Sequence, residues 1–133
     1  MTTATYEFEL PRALIVTAND RKHWARQASL VRNLRQMAAV TQGHDPHQMQ
    51  RAHLTVHVAY PDRRRRDAHN LNPTIKALVD GLVSGCGWRP HGWVPLLPDD
   101  DDTHLIGPDW RPQAERCKPG HVRLTLIFQE VDG

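Results

Sequence analysis

The fold is decided by the stretch Leu54-Thr-Val-His-Val-Ala-Tyr60 and by the later stretch Asn72-Pro-Thr-Ile-Lys-Ala-Leu-Val-Asp-Gly-Leu82. Apolar residues occupy every second position of the first stretch, which predicts a half-buried strand. In the second stretch four aliphatic residues recur at helical spacing, which predicts an amphipathic helix. We expect Asn72 to cap this helix, with Pro73 in its first position and Gly85 at its end. The aliphatic stripe consists of Ile75, Leu78, Val79 and Leu82.

Three further strands and one long helix are predicted around this pair. The predicted strands are residues 6–10, 103–106 and 122–128. The long helix is predicted from Arg21 to about Thr41, with Asn19 or Asp20 as its N-cap. The order strand, helix, strand, helix, strand, strand indicates an α+β fold. We therefore expect residues 1–133 to form one small domain with a mixed sheet and two main helices.

Length and composition fit this expectation and exclude several classes of protein. The 133 residues suffice for one domain, and 39% hydrophobic with 24% charged residues is an ordinary globular balance. No apolar run approaches the roughly 18 residues that span a bilayer, so we expect neither a membrane protein nor a secreted precursor. Cys86 and Cys117 do not have the spacing of a four-cysteine zinc site, although one disulfide is conceivable. We expect reduced thiols and a cytoplasmic location.

The charge distribution suggests a polyanionic partner. Residues 1–98 contain 13 Lys and Arg against 7 Asp and Glu, whereas residues 99–133 contain 4 against 8. A basic surface favours nucleic acid, because Lys and Arg displace counterions from phosphates. The acidic run Asp99–Asp102 would repel phosphate unless a cation lies between them.

The predicted long helix has one strongly basic face. This face contains Arg21, Lys22, Arg26, Arg32 and Arg35. One interpretation is an ordinary solvated helix surface, and the other is a surface that faces phosphates. Under the second interpretation Lys22 and Arg26 are candidate DNA contacts.

Carboxylates lie at the ends of two predicted strands. Asp67 follows the strand 54–60, and Asp101 and Asp102 precede the strand 103–106. If those strands are neighbours, we expect the carboxylates to converge near the start of the second helix. Mg²⁺ is commonly held by one or two carboxylates together with water and substrate phosphate. Lys76 could neutralise charge that develops on a phosphate, or could simply form an ion pair with Asp80 four residues later.

Three separated motifs together resemble the RusA family of Holliday-junction resolvases. They are Pro61-Asp-Arg-Arg-Arg-Arg-Asp-Ala-His-Asn70, Lys76-Ala-Leu-Val-Asp-Gly-Leu82 and Asp101-Asp-Thr-His-Leu105. The stretch from Leu10 to Trp24 is similar to the entry of that family, so the resemblance covers nearly the whole chain. It implies a RusA-like fold and a homodimer that binds four-way DNA junctions. It also implies that the protein resolves them by paired symmetric nicks with Mg²⁺ or Mn²⁺, in recombination or repair in a bacterium or phage.

The resemblance also implies roles for particular residues. The implied catalytic residues are Asp67, Lys76 and Asp102. The implied metal ligands are Asp67, Asp102, Asp101 and, by position, His69. The implied DNA contacts are Arg63, Arg64, Arg65 and Arg66, beside the metal, together with Lys76. Asp80 matches a further acid of the family.

Two departures from the family pattern leave alternatives open. His69 replaces the second metal-binding Asp, and a neutral imidazole suits Mn²⁺ or Zn²⁺ better than Mg²⁺. The gap between Asn70 and Lys76 is also about three residues longer than usual. The main hypothesis is an active endonuclease, and the alternative is a DNA-binding protein whose catalysis is impaired at His69. A metal nuclease of the His-Asn-His type is a third hypothesis, suggested by His69-Asn70, but its other motifs are not found.

Overall fold

A computed structural model describes residues 2–18, 24–43, 48–64, 66–85 and 93–132. These residues form four strands and two α-helices, with a short 3-10 helix before each α-helix. The strands are β1 (Thr3–Pro11), β2 (Ala52–Ala59), β3 (Leu105–Pro112) and β4 (His121–Glu130). The α-helices are α1 (Trp24–Gln42) and α2 (Asn72–Ser84), and the 3-10 helices are Arg12–Leu14 and Ala68–Leu71.

The four strands form one mixed sheet in the order β1-β4-β2-β3. β4 pairs antiparallel with both β1 and β2, whereas β2 and β3 pair in parallel. A parallel pair needs a long crossover, and α2 is part of the connection between β2 and β3. Apolar residues alternate along the strands and therefore lie on one face of the sheet. This face is buried in a core that includes residues of both α-helices. The opposite face is lined by polar side chains such as Glu7, His57 and Arg123.

The two α-helices cross at very short range on the buried face. A Cβ atom added at Gly81 in α2 would lie 2.3 Å from the carbonyl oxygen of Arg35 in α1. The guanidinium of Arg35 donates a 3.0 Å hydrogen bond to the carbonyl oxygen of Gly85, where α2 ends. This close crossing is therefore possible because residue 81 has no side chain.

A buried hydroxyl attaches the segment after β1 to the start of α2. The Thr74 hydroxyl accepts a 2.9 Å hydrogen bond from the Val16 amide and donates a 2.7 Å hydrogen bond to the Val16 carbonyl. Thr74 is fully buried, so both backbone groups of Val16 depend on it. Ala18 also donates to the Asn70 carbonyl at 2.9 Å, next to α2.

The predicted fold class and order of elements are confirmed, with local corrections. β3 begins at Leu105 rather than at residue 103 and continues to Pro112. It starts later because residues 101–104 form a turn. In this turn the Asp101 carboxylate accepts hydrogen bonds from the amides of Thr103 and His104. Asn72 is the first residue of α2 rather than its cap. The predicted N-cap at Asn19 or Asp20 lies outside the described residues.

None of the helices in the described part of the chain is long and apolar enough to cross a membrane.

Candidate functional site

The parallel pairing of β2 and β3 separates the two carboxylates that were expected to converge. Asp67 shares a pocket with Pro112 and Gln113, at the C-terminal end of β3. Asp102 precedes the N-terminal end of β3, and that strand of eight residues is about 23 Å long. Two oxygens on one Mg²⁺ lie at most about 4.2 Å apart, because each is about 2.1 Å from the ion. The strands are neighbours as expected, but their direction leaves these carboxylates towards opposite ends of the pair.

An arginine-lined pocket lies where β2 and β3 end. We define the arginine pocket by the side chains of Arg63, Arg64, Arg66, Asp67 and Arg116, within a cavity of about 390 Å³. Arg63, Arg64 and Arg116 are exposed to solvent. Guanidinium groups donate hydrogen bonds to phosphate oxygens in a planar fork, so this cluster has the chemistry of a phosphate site.

Asp67 is the carboxylate of the arginine pocket and also begins the 3-10 helix that leads into α2. One of its oxygens accepts a 3.0 Å hydrogen bond from the His69 amide. Its carbonyl accepts a 3.1 Å hydrogen bond from the Asn70 amide. Asp67 is exposed, so its carboxylate is open to solvent and to a ligand in the pocket.

His69 is exposed beside the start of α2 and faces an aromatic side chain. Its ring centroid lies 6.0 Å from that of Trp110 in β3, with a tilt of 55° between the planes. The His69 imidazole, in the 3-10 helix that follows Asp67, therefore lies next to the Trp110 side chain of β3.

Arg66 differs from the other arginines of the pocket because its guanidinium is bound within the loop. It donates a 2.7 Å hydrogen bond to the Asp62 carboxylate and lies over the ring of Tyr60. The hydrogen bonds from Arg66 and from the Arg64 amide lower the pKa of Asp62 to about 2. Burial raises the pKa of Tyr60, so its phenol stays neutral.

Lys76 is held by two carboxylates, of which Asp80 was an expected partner and Asp100 was not. Its ammonium lies 2.9 Å from an oxygen of Asp80, as the ion-pair alternative predicted, and 2.5 Å from an oxygen of Asp100. We call these three residues the lysine cluster. Hydrogen bonds to the two carboxylates raise the pKa of Lys76. Burial raises the pKa of Asp80, whereas the hydrogen bond from Lys76 lowers the pKa of Asp100.

The remaining predicted site residues that the structure describes fall outside both clusters. Asp101 uses its carboxylate to close the turn before β3, with hydrogen bonds of 3.1 Å and 3.2 Å from the amides of Thr103 and His104. Asp102 is exposed in the same turn, and Arg26 is exposed in the first part of α1. Lys22 and Arg65 lie outside the described residues.

A prebuilt metal centre is not present in the part of the chain that the structure describes. Those residues contain no group of three or more His, Cys, Asp or Glu side chains that could hold a metal ion. Asp67 could still supply one oxygen ligand to Mg²⁺ or Mn²⁺, with water and phosphate oxygens completing the shell.

Asp100, Arg116 and the ion pair between Asp62 and Arg66 were not singled out from the sequence. Asp100 belongs to the acidic run, but its neighbours were favoured because they match the family motif. Asp62 and Arg66 have opposite charges and lie four residues apart. This spacing predicts an ion pair on a helix but not in a loop. Arg116 follows β3 in an irregular segment, and nothing in its local sequence marks it.

Comparison with known proteins assigns no family. No family model matches the chain, and no curated protein matches it.

Proposed function

We propose that the protein is a metal-dependent endodeoxyribonuclease that binds four-way or branched DNA and resolves it by paired nicks. The observation that carries this proposal is the exposed carboxylate of Asp67 inside the arginine pocket. Phosphodiester hydrolysis needs cations that seat the phosphate and a carboxylate that can help to hold a divalent ion. The motif resemblance supports DNA as the substrate, and recombination or repair in a bacterial or phage setting as the context.

The proposal assigns separate tasks to the arginine pocket and to the lysine cluster. Arg63, Arg64 and Arg116 would bind phosphate oxygens, and Asp67 would bind Mg²⁺ or Mn²⁺. When bound, the ion would polarise the scissile phosphate and supply an activated water. Lys76 has a side chain that is 64% exposed, so its ammonium is accessible to a phosphate beside the lysine cluster. A homodimer would place two such sites on one junction, since paired nicks need two-fold symmetry.

Binding without cleavage is the second candidate function. The specific observation that favours it is the exposed His69 two residues after Asp67, at the position where the family motif has a metal-binding Asp. Loss of one negative charge weakens the attraction for a divalent cation. The arginine pocket does not depend on His69 and would still bind DNA.

The two functions are separated by nicking and binding assays on one synthetic four-way junction. We expect paired nicks in Mg²⁺ or Mn²⁺, and binding in EDTA whose dissociation constant rises with salt. Replacing Arg64 by Ala should weaken binding and reduce the slope of log K against log salt by about 0.9, the value for one phosphate contact. Arg111→Ala removes the same charge from an exposed position of β3 outside the arginine pocket and is the matched control. Binding without nicks in either metal would reject the nuclease and leave the binding protein.

A further inference from the structure

The Asp62 carboxylate binds two arginines of the arginine pocket at once. One of its oxygens accepts a 2.9 Å hydrogen bond from the Arg64 amide and a 2.7 Å hydrogen bond from the Arg66 guanidinium. The same guanidinium nitrogen lies 3.2 Å from the Arg64 carbonyl oxygen. Asp62 therefore fixes both the backbone of Arg64 and the side chain of Arg66.

Tyr60 supports this arrangement from the end of β2. The central carbon of the Arg66 guanidinium lies 4.6 Å from the centroid of the Tyr60 ring, a cation–π distance. The side chain of Arg66 is only 19% exposed, although four consecutive arginines in a loop would ordinarily be solvated. Arg66 thus contacts Asp62 and Tyr60 within the loop, while Arg63 and Arg64 remain exposed to solvent.

A carboxylate beside a phosphate pocket has an electrostatic cost. Asp62 is ionised at neutral pH, because hydrogen bonds from Arg66 and the Arg64 amide lower its pKa to about 2. Its negative charge repels any phosphate that enters the arginine pocket. If its only effect were this charge, removing it would strengthen DNA binding.

We propose that Asp62 is a positioning residue that holds the Arg64 backbone and the Arg66 side chain in the conformation in which Arg64 and Arg63 meet a DNA phosphate. The proposal rests on the proposed DNA binding and deepens it. Without Asp62 the loop would become ordered only when DNA binds. The conformational entropy lost in that step would lower the affinity for DNA. The free energy needed to order the loop in the absence of Asp62 is larger than the repulsion between the Asp62 carboxylate and the phosphate. The net effect of Asp62 on DNA binding is therefore favourable.

The test compares junction binding in EDTA by the wild-type protein, Asp62→Ala, Asp62→Asn and Arg64→Ala. We expect Asp62→Ala to bind about fivefold to tenfold more weakly although its net charge rises by one. Asp62→Asn keeps an oxygen acceptor for the Arg64 amide and should restore binding to within about twofold of the wild type. Asp132→Ala is the matched control, since it removes an exposed acid beside Arg51, at the opposite end of β2.

Urea denaturation and hydrogen exchange distinguish a positioning role of Asp62 from unfolding of the variant. Junction binding by the wild-type protein tests the proposed function itself. The urea midpoint of Asp62→Ala should fall only slightly, because Asp62 is exposed, while hydrogen exchange at the Arg64 amide should become at least about tenfold faster. Binding by Asp62→Ala as tight as the wild type, with Arg64→Ala still weakened, would overturn the positioning role alone. Absence of junction binding by the wild-type protein would overturn the proposed function and this role with it.

Discussion

The ammonium of Lys76 lies 2.5 Å from a carboxylate oxygen of Asp100, a residue of the acidic run before β3. The same ammonium lies 2.9 Å from Asp80, one turn later in α2. The lysine cluster thereby neutralises part of the acidic run at its contact with α2. The acidic run and the arginine pocket lie towards opposite ends of β3, so the carboxylates of the run are separated along the strand from a polyanion bound at the pocket.

Replacing Lys76 by Met should raise the pKa of Asp100. The lysine donates the hydrogen bond that lowers this pKa, and the thioether of Met cannot replace it. Carboxyl resonances followed by NMR across an acid titration measure the shift directly. An unchanged pKa of Asp100 in Lys76→Met would show that the ion pair does not exist in solution.

The same variant should also change how stability depends on pH. The folded pKa of Asp100 is depressed below 3.8, so its pairing stabilises the fold above that pH and loses this effect as the pH falls through the folded value. The pKa of Lys76 is raised above 10.5, so its contribution is lost only as the pH rises through that higher value. Between these limits, Lys76→Met should be slightly less stable than the wild type.

Replacing His69 by Asp should increase nicking of a four-way junction. The substitution adds a carboxylate two residues after Asp67 and strengthens the site for Mg²⁺, which prefers hard oxygen ligands. We expect an increase in single-turnover nicking of at least about tenfold in Mg²⁺. His69→Asn is the control, since it has similar size without the charge. Equal nicking by the two variants would contradict a metal-binding role for this position.

The sequence predicted the secondary structure well because local patterns determine it. Alternating apolar residues in β1, β2 and β4, and the aliphatic stripe of α2, are visible without knowledge of contacts between elements. The site was predicted less well because it depends on strand direction. Sequence could suggest that β2 and β3 are neighbours, but parallel pairing places Asp67 and Asp102 towards opposite ends. The contact between Lys76 and Asp100 was also not predicted, because it depends on how the acidic run folds before β3, where Asp101 forms a local turn.

Replacing Gly81 by Ala should destabilise the fold although Ala is the better helix former. The new Cβ would lie 2.3 Å from the Arg35 carbonyl oxygen and 2.8 Å from the Ala38 Cβ, so α1 and α2 would have to separate. Overpacking of this kind costs about 1–3 kcal/mol of unfolding free energy. Urea denaturation measures it, with the exposed Gln36→Ala in α1 as a control. A gain in stability would contradict the close helix crossing.

Replacing Thr74 by Val should cost about 3 kcal/mol, because the buried amide and carbonyl of Val16 would each lose a hydrogen-bond partner. Thr74→Ser keeps the hydroxyl and loses only a methyl group, which is worth about 1 kcal/mol. The two variants can be compared by urea denaturation. Equal stability of the two would show that the hydroxyl is not needed.

The central claim is that the Asp67 carboxylate inside the arginine pocket supports cleavage rather than folding or DNA binding. The most direct test measures nicking and binding of one four-way junction by the wild type and by Asp67→Asn, with Asp132→Asn as a control for the lost charge. Asparagine keeps an oxygen that can accept from the His69 amide, so the fold should persist. We predict that Asp67→Asn loses nicking in both Mg²⁺ and Mn²⁺ while it binds the junction at least as tightly as the wild type. Nicking at the wild-type rate by Asp67→Asn would contradict the claim.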